Sequence, residues 1–177
     1  MRIISGKYRS MVLAEIKCDG VRPTSDRVKE SLFNLLYGRV AGSTCLDLFC
    51  GSGNLGLECI SRGAEFVHFN DRSKDSLAVL NKNLARLKGE TNFKVTLSDF
   101  SDCLKGDKSY DIIFIDPPYA SDCGVRALEL IAKYKKLTPN GVAVYERDRP
   151  FEGEIEGLKQ FDERKYGKTY ITFFSVS

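Results

Sequence analysis

Along this chain the apolar positions change period repeatedly, and each change predicts a change of secondary structure. Short, nearly continuous apolar runs at 44–49, 66–70, 93–97, 110–115 and 142–146 have the length and the β-branched and aromatic content of buried strands. Between them apolar residues recur at helical spacing. Leu77, Leu80, Leu84 and Leu87 form one stripe behind a capping Ser73, Ala127, Leu130, Ile131 and Tyr134 form another, and a shorter helical run covers 57–61. Pro139-Asn140-Gly141 predicts a turn ahead of the fifth strand. Strands alternating with helices in this way predict a doubly wound α/β sheet, mostly parallel, that binds ligands at the carboxyl ends of its strands.

Both ends of the chain depart from that alternation. Arg2-Ile3-Ile4 and Met11-Val12-Leu13 predict a small N-terminal hairpin that carries basic residues outward. A helix follows Pro23, with Thr24 or Ser25 as its cap and Val28, Leu32, Leu35 and Leu36 on its buried face. At the other end, 160–166 and 169–176 flank Gly167-Lys168, which predicts a hairpin laid antiparallel on the sheet edge. With 177 residues and 42% hydrophobic content the chain can bury one sizeable core, so one domain is expected, with 1–38 as a hairpin-and-helix extension and 39–177 as the catalytic core.

No run approaches the ~20 apolar residues of a membrane span, and residues 1–7 lack the apolar region of a signal peptide, so cytoplasmic residence is expected. The six cysteines include no C-x-x-C pair and His68 is the one histidine, so no zinc-ligand spacing can be assembled and no metal is expected. The cysteines, Cys50 included, read as reduced and mostly buried packing residues. The net charge of +3 is uneven. Residues 1–29 carry seven cations against three acids, which is +4 and leaves −1 for the remainder. Such a leading segment, with Lys7, Arg9, Arg22 and Arg27, suits contact with the phosphates of a nucleic acid, although each cation is equally at home on a solvated surface. A smaller basic group, Arg164-Lys165-Tyr166-Gly167-Lys168, lies near the other end.

Two motifs carry chemistry. Gly51, Gly53 and Gly56 form G-x-G-x-x-G between a strand and a helix, which lets backbone approach a ligand and helix pack on strand. Asp71 follows the next strand, where a ribose hydroxyl needs an acceptor, and Asp47 inside the first strand suits a cationic ligand better than a pyrophosphate. S-adenosylmethionine is therefore favoured over NAD. Ser98-Asp99-Phe100 after the third strand offers an acceptor for an adenine amine and an aromatic flank for its ring, or else a helix cap. The second motif is Asp116-Pro117-Pro118-Tyr119 at the end of the fourth strand. A carboxylate and donor-free backbone carbonyls can hold and pyramidalise the poorly nucleophilic amine of a base, while the aromatic ring stacks on it.

These segments, together with Ile3-Ile4-Ser5-Gly6-Lys7-Tyr8 and Arg22-Pro23-Thr24-Ser25-Asp26-Arg27, resemble the RsmD family of class I S-adenosylmethionine-dependent methyltransferases. The resemblance implies a Rossmann-like methyltransferase fold, a seven-stranded sheet with an antiparallel C-terminal edge strand, and methylation of N2 of a guanine in bacterial small-subunit (16S) ribosomal RNA. By it, Asp116, Pro117, Pro118 and Tyr119 are catalytic, and Asp47, Phe49, Gly51, Ser52, Gly53, Gly56, Asp99 and Phe100 line the cofactor pocket. Either Asn70 or Asp71 meets the ribose. Lys7, Arg9, Arg22 and Arg27 are expected to contact RNA, the small subunit or a precursor of it to be the substrate, and the protein to act as a monomer. Adenine-N6 methylation of DNA or RNA, a non-catalytic RNA-binding assembly factor and a nucleotide-dependent oxidoreductase are the competing functions.

Overall fold

The chain runs through α1 (Asp26–Leu35), β1 (Thr44–Asp47), α2 (Asn54–Ser61), β2 (Phe66–Asp71), α3 (Lys74–Leu84), β3 (Phe93–Leu97), α4 (Phe100–Cys103), β4 (Tyr110–Ile115), α5 (Cys123–Lys133), β5 (Leu137–Arg147), β6 (Leu158–Tyr166) and β7 (Thr169–Val176). The computed structural model describes residues 1–16, 26–118 and 122–177. The expected caps Thr24 and Ser25 lie outside the described residues.

One seven-stranded sheet has the order β3-β2-β1-β4-β5-β7-β6, with β1 to β5 parallel and both β7 and β6 joined antiparallel. The edge strand is β6, so the Phe-rich β7 is covered on both sides. The strand order reverses between β1 and β4, which opens a crevice at their carboxyl ends. β4 is buried along nearly its whole length because helices cover both faces of the sheet, which is why its sequence is an unbroken apolar run. One core cluster joins the sheet to α1, α2 and α3, and the other joins it to α4 and α5.

The N-terminal hairpin closes on an antiparallel bridge, Arg2 to Val12, supported by bonds such as Ile3 N to Met11 O at 3.0 Å. Three expectations are corrected. On α1, Leu35 is exposed, while Lys29 is buried beside Leu32 and Phe33. α2 begins at Asn54 rather than Leu57, directly behind the glycine loop. Pro139-Asn140-Gly141 lies inside β5, where the register with β4 slips between Tyr110 and Ile112, and the chain instead turns at Lys135, at a φ of 51°. Gly141 is required there because a Cβ would fall 2.9 Å from the Tyr110 carbonyl oxygen.

Candidate active site

The glycine loop leaves β1 after Asp47 and is tied down by its neighbours. Cys50 N donates to Asn70 O at 2.9 Å, and Gly53 N closes a turn on Cys50 O at 2.7 Å. Gly51 and Gly53 have φ of 53° and 89°, in the left-handed region, and a Cβ on Gly53 would meet Leu80 Cδ1 at 2.4 Å. Gly56 has another purpose: a Cβ there would sit 2.2 Å from the Phe69 ring, so glycine sets how closely α2 packs on β2. Ser52 is buried, and its carbonyl accepts from Asn83 Nδ2 at 3.0 Å. The Cys50 thiol is pushed up by burial and stays protonated, in keeping with a packing residue.

Asp47 accepts from Gly56 N at 2.9 Å, in the first turn of α2. Burial nevertheless raises its carboxyl to about 7, against the lowering effect of that bond and with a smaller push from Asp71. Asp71 accepts from Gly51 N at 2.9 Å and from Ser73 N at 2.8 Å, one bond on each carboxylate oxygen, and remains partly exposed. Asn70 is different. It is 1% exposed, donates to Leu48 O and Ser98 O, and accepts from Thr96 Oγ1 and Ser98 Oγ, both at 2.8 Å. Its amide is fully engaged in lacing together the ends of β1, β2 and β3. Past β3, Asp99 caps α4 by accepting from Ser101 N at 2.9 Å, and its bonds to Ser101 hold it below the usual carboxylate range. Phe100 packs against Phe49 with ring centroids 5.3 Å apart.

Across the crevice, Asp116 follows β4 directly, with Pro117 buried and Pro118 exposed; Tyr119 lies outside the described residues. Burial holds the Asp116 carboxyl well above the carboxylate range, with further pushes from Glu146 and then Asp47. Glu146, near the end of β5 and 5% exposed, is the site residue that sequence reasoning missed. An acid at the end of a buried apolar strand was visible, but only the pairing of Ile115 with Tyr145 places it beside Asp116. Three adjacent strands thus deliver three carboxyls, Asp47, Asp116 and Glu146, to one crevice. Among the described residues no group of His, Cys, Asp or Glu is arranged to hold a metal ion.

Lys7 and Arg9 of the basic N-terminal segment do not face this crevice. Lys7 N donates to Ser61 O at the end of α2, and Lys7 Nζ pairs with Glu90 at 2.6 Å, just ahead of β3. That is the amino edge of the sheet, opposite Asp116, and Arg9 shares the same turn through Arg9 N to Gly6 O. Arg27 is exposed in the first turn of α1, and Arg22 lies outside the described residues. What the segment does instead is brace the fold. Buried Glu58 on α2 accepts from Ile4 N, Ser5 N and Arg62 Nε and pairs with buried Lys29 at 3.1 Å, while Lys29 also donates to Asn54 Oδ1 at 2.8 Å. Farther along, Asn83 clamps Ala14 through both its N–H and its carbonyl.

The family model described as "Conserved hypothetical protein 95" matches residues 1–175. The chain belongs to the RsmD family. Similar to it are the ribosomal RNA small subunit methyltransferase D of Haemophilus influenzae, 38% identical over 85% of this chain and 81% of that one, and that of Buchnera aphidicola, 33% identical over 99% and 90%. Among solved structures, "Putative methyltransferase yhhF from Escherichia coli" matches at a TM-score of 0.88 and 30% identity, covering 99% of this chain and 97% of that one. The crevice between β1, β4 and β5 is thus set in an RsmD-family fold.

Proposed function

We propose that this protein is an S-adenosylmethionine-dependent methyltransferase that modifies the exocyclic N2 amine of a guanine in small-subunit ribosomal RNA, on assembled or partly assembled subunits. The observation that carries the proposal is the Asp116-Pro117-Pro118 turn set beside Asp47 and Glu146, an acidic crevice at the switch point of the sheet. Three carboxyls gathered in one crevice, with Asp47 and Asp116 both pushed up by burial, are poorly matched to an anionic dinucleotide and well matched to a cationic ligand. That favours a sulfonium cofactor over NAD. Asp47, the backbone of Gly51 and Gly53, Asp71, and the Phe49 and Phe100 rings would hold it, with Asp71 on the ribose because the Asn70 amide is engaged elsewhere. The cofactor supplies an electrophilic methyl group.

The chain's own residues prepare the amine. Asp116 accepts one N–H and the Pro117 carbonyl another, which aims the nitrogen lone pair and slows its delocalisation into the ring. The same carboxylate, basic because of its burial beside Glu146, takes the proton that the methylated amine sheds. Tyr119 stacks on the base, which has to be unstacked or flipped to reach the turn. The relatives named for ribosomal RNA support RNA over DNA as substrate. Methyl transfer to small subunits from a strain lacking the gene, followed by nucleoside identification, tests the proposal: N2-methylguanosine at one site supports it, and N6-methyladenosine overturns the choice of base.

A further inference from the structure

Resting on that proposed activity, we infer that Arg147, Tyr170 and Lys165 form the surface that grips the RNA strand flanking the target base. The three residues are direct neighbours across β5, β7 and β6: Arg147 pairs with Tyr170, and Tyr170 pairs with Lys165. Residues opposite one another in a sheet share a face, so a cation, an aromatic ring and a second cation stand in one row. The row lies at the carboxyl end of β5, one residue beyond Glu146, and an open pocket lined by Pro117, Glu146, Arg147 and Arg149 joins it to the catalytic turn.

Arg147 is placed for a ligand it does not yet meet. Its guanidinium lies over the rings of Tyr145 at 5.2 Å and Phe151 at 5.6 Å, which fix its plane, and its buried Nε has no hydrogen-bond partner. No ion pair among the described residues engages Arg147 or Lys165; Lys165 Nζ lies 5.2 Å from the centre of the Tyr170 ring. Nearby acids are spent or outnumbered. Glu163 accepts from Phe151 N and Thr172 Oγ1, Asp162 pairs with Arg164, and exposed Asp148 stands between Arg147 and Arg149 in the chain, with Lys168 also exposed. Fixed guanidinium and ammonium donors flanking an aromatic ring suit a single strand, with phosphates on the cations and a base on the ring. The surface also gives the RNA a cationic contact at the edge of the sheet where the reaction occurs, which Lys7 and Arg9 cannot do from the amino edge.

Arg147→Gln, Lys165→Gln, the pair combined, and Tyr170→Leu are tested for binding to small subunits across a potassium chloride series at fixed magnesium, alongside calorimetric S-adenosylmethionine binding. The inference predicts unchanged cofactor binding, a roughly tenfold loss of subunit affinity in the double variant, and a salt slope shallower by about 1 for each cation removed. Tyr170→Leu weakens binding roughly fivefold or more without changing the slope, and Tyr170→Phe restores it. Variants that bind subunits as the wild type does, with the same slope, would overturn the row while leaving the proposed activity in place. A wild-type protein that binds S-adenosylmethionine but transfers no methyl to subunits would overturn that activity and this inference with it.

Discussion

Asp47 Oδ2 accepts from Gly56 N at 2.9 Å, so a buried carboxyl at the end of β1 is tied to the first turn of α2 across the glycine loop. That single bond relates two properties of the site. It fixes the loop that approaches the cofactor, and it holds the acid where burial lifts it to about 7. A carboxyl protonated in the empty site ionises as a cation binds. S-adenosylmethionine affinity is therefore expected to rise with pH up to about 7, by as much as about tenfold per unit below it, and to level off above. Calorimetry in buffers of different ionisation enthalpy should register proton release on binding near pH 6.5. In Asp47→Asn, whose amide oxygen still accepts from Gly56 N, both the pH dependence and the proton release disappear.

His68 gives folding a pH dependence of its own. It bridges Tyr110 OH at 2.7 Å and Thr96 Oγ1 at 2.9 Å, and burial, with Lys94 and Lys108 nearby, lowers it to about 4. The unfolded chain binds more protons at this residue between about pH 4 and 6.5, so its contribution is full above about pH 6.5 and is lost as pH falls toward 4. Asp47 has the reverse slope over much of that range, because its folded value lies above the unfolded one, and the two offset each other in wild type. Comparing wild type with His68→Gln removes the Asp47 effect. The stability difference measured by urea denaturation should shift by about 2 kcal/mol in favour of the variant between pH 7.5 and pH 5.

Lys29 and Glu58 form the brace between the N-terminal segment, α1 and α2, at 1% and 0% exposure. Burial lowers Lys29, yet Glu58, Asn54 Oδ1 and the Arg2 carbonyl give its ammonium three partners. Lys29→Met leaves the Glu58 carboxylate with one cation fewer in a buried setting and is expected to cost about 3 kcal/mol in urea denaturation. Lys29→Met combined with Glu58→Leu should recover part of that loss. A single variant as stable as wild type would show that the pair does not brace the segment.

The parts of this fold that were legible in the sequence are those fixed by local patterns. β3, β4 and the Ser73-capped α3 follow directly from the period of their apolar residues and from a cap, and the glycine loop from spacing that steric contact demands. What local patterns do not encode is which distant residues meet. Lys29 looks like a surface residue until Glu58 is packed against it. Glu146 becomes part of the crevice only through the order of the strands, and Asn70 and Asp71, adjacent in sequence, face different surroundings because a strand alternates its sides. Lys7 and Arg9 illustrate the converse. Their charge suggested RNA, but backbone bonds to the end of α2 carry them to the far edge of the sheet.

Gly53 combines a left-handed φ of 89° with contact against Leu80 and Leu57. Gly53→Ala strains the backbone and pushes on both leucines, with an expected cost of about 1–3 kcal/mol in stability and a weaker cofactor affinity. Gly63→Ala has a similar φ and an open surrounding, so it carries the strain without the collision and should leave cofactor affinity unchanged. Thermal denaturation together with S-adenosylmethionine titration separates the two effects.

The most direct test of the account is methyl transfer to small ribosomal subunits by wild type and by Asp116→Asn, with S-adenosylmethionine binding measured in parallel. The account predicts N2-methylguanosine at one position with wild type and a rate about 100- to 1000-fold lower with the variant, which still binds the cofactor. Transfer at the wild-type rate by Asp116→Asn, or a methylated base other than guanine, would contradict it.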